Sequence, residues 1–450
     1  MSQTFQSVNS GPRLDRLPIS RFHVNVLLLI GCGALLDAFD VYLAAGVLAA
    51  TLKEGFSTLQ GNALFISITF FGMLIGAGAA GYVGDRYGRR YSYQVNLAIF
   101  GAASLLACFA PNLEILVFLR FVMGIGMGAE LVVAAGTLLE FIPPKYRGRW
   151  IALLGLMINS GFLLANSIGY FVIPNLGWRW MFAIAGGGAL VIWILRKRMP
   201  ESPRWLEAVG RTAEAEATLA RIEADVIKRQ GPLPAFTPVT TLDVRKTPFS
   251  ALFSRKMFWR TIVACYACMT IMISVYGFVA WLPTFFVKQG LTVVQSLGFT
   301  TLMSFGAPTG AVVGFLIGDR LGRRTALIMF SVVTICLGLI YPNMREATEI
   351  TTVGFLLITS IYTLVTITLY AYIPELFPTQ YRLRGTGISN MAGRGIAIAT
   401  PYLAVSLFEN FGLPGVLSMV IGAIAILILA VTLLRVETGG KRSLEDLHPE

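Results

Sequence analysis

The sequence predicts an all-α membrane protein with twelve transmembrane helices in two pseudo-symmetric six-helix bundles. Three observations carry that expectation. First, 55% of the residues are hydrophobic and only 13% charged, against roughly 25% charged in a soluble domain. A soluble core could not hide so much apolar surface, so hydrocarbon must serve as solvent. Second, apolar runs of the length needed to cross a bilayer, about 20 residues, recur about twelve times. Third, Gly84-Asp85-Arg86-Tyr87-Gly88-Arg89-Arg90 returns as Gly318-Asp319-Arg320-Leu321-Gly322-Arg323-Arg324, about half the chain later.

The runs lie near 24–50, 60–84, 92–110, 114–139, 149–173, 179–197, 260–286, 294–318, 325–341, 350–374, 385–408 and 413–435. Glycines and prolines inside them are compatible with membrane helices. Residues 1–23 are polar and carry Arg13, Arg16 and Arg21. No cleavable leader pattern precedes the first run, so that run is expected to act as the insertion signal. The expected organisation is a tail over 1–23, a bundle over 24–198, a linker over 199–258, a second bundle over 259–436 and a tail over 437–450. Within the linker, Arg204 to Arg229 is charged and helix-prone, and Gly231 to Pro238 ends it.

Lysine and arginine fix the expected orientation. With the N-terminus in the cytoplasm, 30 of the 36 fall on cytoplasmic segments. Lys53, Arg179, Lys288 and Arg345 fall outside, and Arg120 and Arg394 within helices. The bias places both termini inside and accounts for the net charge of +12 without nucleic acid. The five cysteines all sit in apolar runs. Cys265 and Cys268 lack a nearby histidine or further cysteine to complete a metal site, so helix packing is the better reading.

The doubled loop suits a gate. Its glycines permit tight turns, and its aspartates can pair with arginines or a helix N-terminus in one state and release them in another. Internal repeats of this kind mark secondary transporters, with the binding site between the halves near the midplane.

Over nearly its whole length the chain resembles the major facilitator superfamily. Gly81 to Arg90 resembles its loop signature, and Arg120-Phe-Val-Met-Gly124-Ile-Gly126-Met-Gly128 its fourth-helix signature. Stretches around Glu140 to Arg149, Pro200-Glu201-Ser-Pro-Arg204, Pro374-Glu375 to Arg384, and Glu437 to Glu445 resemble the sugar-porter branch and its organic-ion relatives. The resemblance implies a major facilitator fold. It implies a cytoplasmic gate cross-linked by Asp85, Arg86, Arg89, Glu140, Arg147, Glu201, Arg204, Asp319, Arg320, Arg323, Glu375 and Arg384, with Arg120 structural or coupling. One departure bears on cargo. Hexose porters carry a glutamine pair in helix seven; here Cys265 to Trp281 holds neither Gln nor Asn. The aromatic and thioether groups that remain suit a flat, partly apolar ligand. Asp37-Ala-Phe-Asp40 resembles the paired aspartates of aromatic-acid/proton symporters. Gly128-Ala-Glu130-Leu, Arg394 and the segment Arg13 to His23 resemble bacterial niacin-type transporters.

Charge within a bilayer costs about 2.5–3.5 kcal/mol on insertion scales and points to function. Asp37 and Asp40, spaced i, i+3, can share a face. Glu130 lies about 24 Å along helix four and Arg394 about 14 Å deep in helix eleven, at 1.5 Å per residue. The first half is thus expected to supply acids and the second half an arginine facing them. Arg394 is the candidate fork for a substrate carboxylate, the alternative being a structural partner for an acid or for carbonyls. Asp37, Asp40 and Glu130 are candidate proton carriers, since a carboxyl in a low-dielectric site can load near neutral pH; the alternative is permanent pairing with Arg120. Tyr276, Trp281 and Tyr370 lead the aromatic candidates for the site, ahead of Tyr42, Phe70 and Tyr362. Asn159 and Asn166, seven apart, can share a face and touch ligand or bridge helices. His23 is expected at the solvated mouth of helix one, and His448 carries no expectation.

These residues point to a proton-coupled symporter of a small organic anion, nicotinate or another aromatic monocarboxylate, working as a monomer in a bacterial inner membrane. An organic-cation or drug antiporter and a sugar-acid symporter are the alternatives, and a non-transporting sensor is a further one. No nucleotide loop, metal cluster or triad appears, so neither an enzyme nor a cofactor is expected. The partners are a small-molecule substrate, protons and membrane lipid.

Overall fold

The computed structural model describes residues 8–236, 252, 254, 257–377 and 381–434, save for the surroundings of positions 81, 82, 85, 131, 132, 319, 383 and 434. Asp85 and Asp319, the far part of the linker and the segment Glu437 to Glu445 therefore lie outside the described side chains.

Among the described residues, ten helical stretches are long and apolar enough to cross a membrane. In chain order the helices of the first half begin with α2 (Arg21–Lys53) and α3 (Leu59–Tyr87), after a short α1 (Ser10–Asp15). Then come α4 (Arg89–Ala107), α5 (Leu113–Phe141), α6 (Arg147–Leu176) and α7 (Arg179–Arg196). The second half holds α10 (Phe258–Gly277) with α11 (Leu282–Lys288), α12 (Val293–Ser304) with α13 (Gly306–Leu321), and α14 (Arg323–Ile340). It ends with α15 (Ala347–Ile367), α16 (Ile373–Glu375) and α17 (Arg382–Leu434). The linker contributes α8 (Pro203–Ala208) and α9 (Thr212–Gln230).

Twelve crossings result from two adjustments to the ten. α4, whose start is polar, packs between α5 and α7. α17 is two crossings joined at Gly412, whose φ of 63 and ψ of −156 break the helix. Other crossings also bend. Phe278 leaves helical geometry and hands α10 to α11 through a turn over Val279–Trp281. α15 reaches α16 through a π-helical turn over Thr368–Tyr372.

The repeated loop is built twice in the same form. Gly88 (φ 100, ψ 164) links α3 to α4, and Gly322 (φ 83, ψ 147) links α13 to α14. Side chains are strained in that backbone region, so the second glycine of each repeat is required by the turn itself. Within the first half, α3 and α5 touch backbone to backbone: a Cβ on Gly72, Gly124 or Gly128 would strike main-chain atoms of the facing helix. Small residues serve this purpose in membrane helices because lipid supplies no hydrophobic drive for association.

The halves meet where α2, α3 and α6 face α11, α12, α13 and α17. At the linker end of the bundle, α1 lies against α8 and α9. Arg13 grips Glu223 with two bonds (3.1 and 2.7 Å) and Glu216 at 2.6 Å. Arg16 adds a bond to Glu223 at 2.7 Å. The segment expected as a polar tail is thus a docked element. His23 departs from expectation as well. It is fully buried, and its Nδ1 accepts from the Ser20 N–H in the cap that starts α2.

Candidate functional site

α2 is buried along most of its length, and Asp37 and Asp40 are almost wholly removed from solvent. α5 presents two charged groups to α2, the donor Arg120 and the acceptor Glu130. Arg120 Nη1 meets Asp40 Oδ2 at 2.5 Å, its Nε donates to Thr69 Oγ1 at 3.3 Å, and its guanidinium lies 4.7 Å over the Phe65 ring. Three turns further along α5, Glu130 pairs with Arg196 at the end of α7. Arg196 is also held by the Leu29 and Ile30 carbonyls of α2 (2.8 and 3.1 Å) and by the Tyr93 ring at 4.6 Å.

This corrects the expected asymmetry between halves. The acids of the first half do not wait for a cation from the second. Asp40 and Glu130 each have a guanidinium within their own half. Reading Arg196 as one of the cytoplasmic basic residues missed it. The available signal was charge balance, because three buried acids beside Arg120 alone call for a second cation.

Between the halves lies a cluster of rings. The Tyr362 hydroxyl of α15 donates to the Tyr42 hydroxyl of α2 at 2.8 Å. Tyr276 of α10 stacks near Tyr42, with centroids 6.2 Å apart, and packs edge-on to Phe70 at 4.4 Å. Phe162 of α6, absent from the sequence candidates, touches Tyr42 and Tyr362. A small cavity opens here, lined by Thr69, Phe70 and Arg120 of the first half and by Tyr276 and Ala280 of the second. Arg120, and through it Asp40, therefore borders the space between halves.

Arg394 of α17 is near Tyr276 and Cys268. Its Nη1 donates to the Met73 carbonyl of α3 at 2.9 Å. Among the described residues no carboxylate is ion-paired with it. Tyr370 sits in the π-helical turn, against Gly155 of α6 and Phe315 of α13. Such turns recur at functional sites, and hydropathy cannot reveal one.

Other candidates are placed differently. Trp281 is fully buried and stacks on Phe285, which stacks on Phe408 of α17. It lies outside the ring cluster, in a turn that also touches α2 of the first half, and among the described residues its buried indole Nε1 has no hydrogen-bond partner. The Asn166 side chain bonds the Phe162 carbonyl of its own helix, while its main-chain carbonyl accepts from Thr301 of α12. Asn159 is buried with its amide nitrogen unpartnered.

At the linker end the two halves repeat one another. Arg89 reaches Glu140 (3.0 Å) as Arg323 reaches Glu375 (3.4 Å). Glu201 accepts the N–H groups of Arg89 (2.9 Å) and Ser202 (3.0 Å), and burial pushes its carboxyl up despite these bonds. Arg204 binds the Glu140 carbonyl and Asp15, and Arg147 binds the Ile142 carbonyl and Asp15. Asp15 was not foreseen in this network. Arg86 lies by the Tyr87 ring, and Arg320 and Arg384 are exposed.

Comparison with known proteins agrees with this architecture. The chain is 37% identical over 443 residues to the inner membrane metabolite transport protein YdjE of Escherichia coli, covering 97% of this chain and 98% of that one. It is 31% identical over 434 residues to the niacin transporter NiaP of Acinetobacter baylyi, covering 95% and 97%. Its fold matches a partially occluded inward-open structure of the xylose transporter XylE of E. coli with a TM-score of 0.73 at 18% identity, over 94% of this chain and 100% of that one. Residues 30–401 match the Major Facilitator Superfamily, and with these relatives the chain belongs to that superfamily of integral membrane transporters, not to the enzymes.

Proposed function

We propose that the chain carries a small organic anion, nicotinate or another aromatic monocarboxylate, together with a proton, by alternating access. The observation that carries this reading is Arg394. A guanidinium held at the inter-half surface by one carbonyl, beside Tyr276, retains donors for a planar carboxylate. The neighbouring rings of Tyr42, Phe70 and Tyr276 suit a flat ligand. The relative named as a niacin transporter supports the same class. At least one of Asp37, Asp40 and Glu130 carries the proton.

In this reading both termini and the linker face the cytoplasm of a bacterial cell, and the chain works as a monomer of two bundles joined by residues 199–258. The Arg89–Glu140 and Arg323–Glu375 pairs brace the cytoplasmic gate in one state and part in the other. Neutralising the site by carboxylate on Arg394 and proton on an acid lowers the cost of rocking the halves past one another.

The test is uptake of radiolabelled nicotinate into proteoliposomes under an imposed pH gradient. Uptake that follows the gradient and falls at least about tenfold in Arg394→Ala, the scale of one charge-assisted hydrogen bond, supports the reading. Full uptake by Arg394→Ala would remove its anion-binding role. A second reading, cation antiport, draws on the acid surplus of the first half. Competition by cationic and not anionic aromatics would select it.

A further inference from the structure

We propose that Asp37 is the proton-binding carboxyl of the first half, that Glu130 stays ionised against Arg196, and that Arg196 is the positioning residue that keeps the two carboxyls in separate roles. The inference deepens the proton-coupled reading above and rests on it for its purpose in transport.

The first observation is a count of buried charge. Asp37, Asp40, Glu130, Arg120 and Arg196 are each no more than 1% exposed. Asp40 meets Arg120, and Glu130 meets Arg196. Of these three acids, Asp37 is the one left without an ion pair among the described residues; its Oδ2, like Asp40 Oδ1 and both Glu130 oxygens, makes no hydrogen bond. Two carboxylates beside one guanidinium in a water-excluded site cannot both hold full charge without large cost.

The second observation is where the pair sits. Gly33 precedes Asp37 by one helical turn and shares its face of α2. A Cβ on Gly33 would collide with the Arg196 guanidinium and with Glu130 Oε1. The glycine is the notch that lets the ion pair seat against α2 next to Asp37.

The third observation separates the roles. Arg196 is fixed by two α2 carbonyls and by the Tyr93 ring of α4, so it stays in place whichever acid is protonated. Protonating Glu130 would break the direct ion pair and leave that buried cation only the Asp37 carboxylate, with which it makes no salt bridge. Protonating Asp37 removes only the surplus negative charge. The step is simple: a proton from water adds to the Asp37 carboxylate and later returns to water, with no other bond changed. The charged groups facing Asp37 are Glu130 of α5, Arg196 of α7 and Asp40 of α2 itself. α6, also packed along α2, bears no titratable side chain between Trp150 and Gly169.

The test is infrared difference spectroscopy on the full chain in nanodiscs, stepped from alkaline to acid pH, with the proton as the only ligand. A neutral carboxylic-acid C=O band that titrates in the wild type should vanish in Asp37→Asn, persist in Asp40→Asn and persist with its midpoint moved to lower pH in Glu130→Gln, where Asp37 alone balances Arg196. Loss in Glu130→Gln with persistence in Asp37→Asn overturns the assignment, as does the absence of any titrating band. Arg196→Gln should move the midpoint of the band and add a second neutral carboxyl; an unchanged spectrum would refute the positioning role. If Asp37→Asn does not fold, the Glu130→Gln/Arg196→Gln double variant decides: a retained band supports Asp37 and a lost band overturns it. Failure of the symport reading is distinguishable. Nicotinate uptake indifferent to a pH gradient would end that reading while leaving the Asp37 band intact.

Discussion

Arg394 and Met73 join the two halves, through a guanidinium nitrogen of α17 donating to a main-chain carbonyl of α3 at 2.9 Å. The carbonyl is itself placed by glycine, because Met73 lies against Gly128 of α5 with no room for a Cβ between them. The fourth-helix signature thus acts on Arg394 at one remove.

Gly128→Ala is accordingly expected to part α3 from α5, at a cost of about 1–3 kcal/mol as for other overpacked sites. It should also weaken nicotinate binding although Arg394 is intact. Gly395, next to Arg394, has open space where its Cβ would be, so Gly395→Ala should leave the melting temperature unchanged or higher. Melting curves and equilibrium binding on the two variants check this.

The Tyr42–Tyr362 hydroxyl bond spans the halves. A neutral hydrogen bond contributes about 0.5–1.5 kcal/mol. Tyr42→Phe and Tyr362→Phe should each lower stability on that scale, and the double variant should lose no more than either alone. Strict additivity across the thermal-unfolding cycle would show that the bond is not made in solution.

Trp281→Ala should cost about 3–5 kcal/mol, as large aromatic truncations in packed cores do, with nicotinate affinity unchanged in the folded fraction. Its ring stacks on Phe285, away from Tyr276. A large loss of affinity at constant stability would return Trp281 to the site.

Acid should loosen α1. Burial alone would push the Glu223 carboxyl up, but hydrogen bonds from Arg13 and Arg16 outweigh it and hold the carboxyl below the usual range. A depressed carboxylate adds stability above its unfolded pKa of about 4.3 and loses it as pH falls through the lower folded value. Protection factors at residues 10–15, that is exchange rates corrected for the pH dependence of intrinsic amide exchange, should therefore be high at neutral pH and fall on acidification. Glu223→Gln should show low protection at every pH; high protection in that variant would contradict the clamp.

Much of the fold was legible because hydrocarbon imposes simple requirements. The number of runs, the polar loops and the doubled glycine turn are all properties of short windows. Arg394, Asp37, Asp40 and Glu130 stood out for the same reason, as charges where none is expected. The partners were not legible. Arg196 lies 66 residues from Glu130 and at the edge of its own run, so hydropathy assigns it to the loop, and only the packing of α7 on α2 and α4 turns it inward. Trp281 read as a site residue because its helix faces the other half; the break at Phe278, which no short window reveals, sets it against Phe285. The docking of α1 was invisible for a different reason: six residues have too little periodicity to signal a helix, and the glutamates that hold them are about 200 residues away.

That docking sets an order of events during biosynthesis. Residues 9–16 can complete their contacts only once Glu207, Glu216 and Glu223 have left the ribosome. By then all six crossings of the first half have been made. Closure of the clamp therefore reports that the first bundle is complete, and a ribosome-stalled chain ending before Glu207 would leave its leading segment open to quality-control proteases.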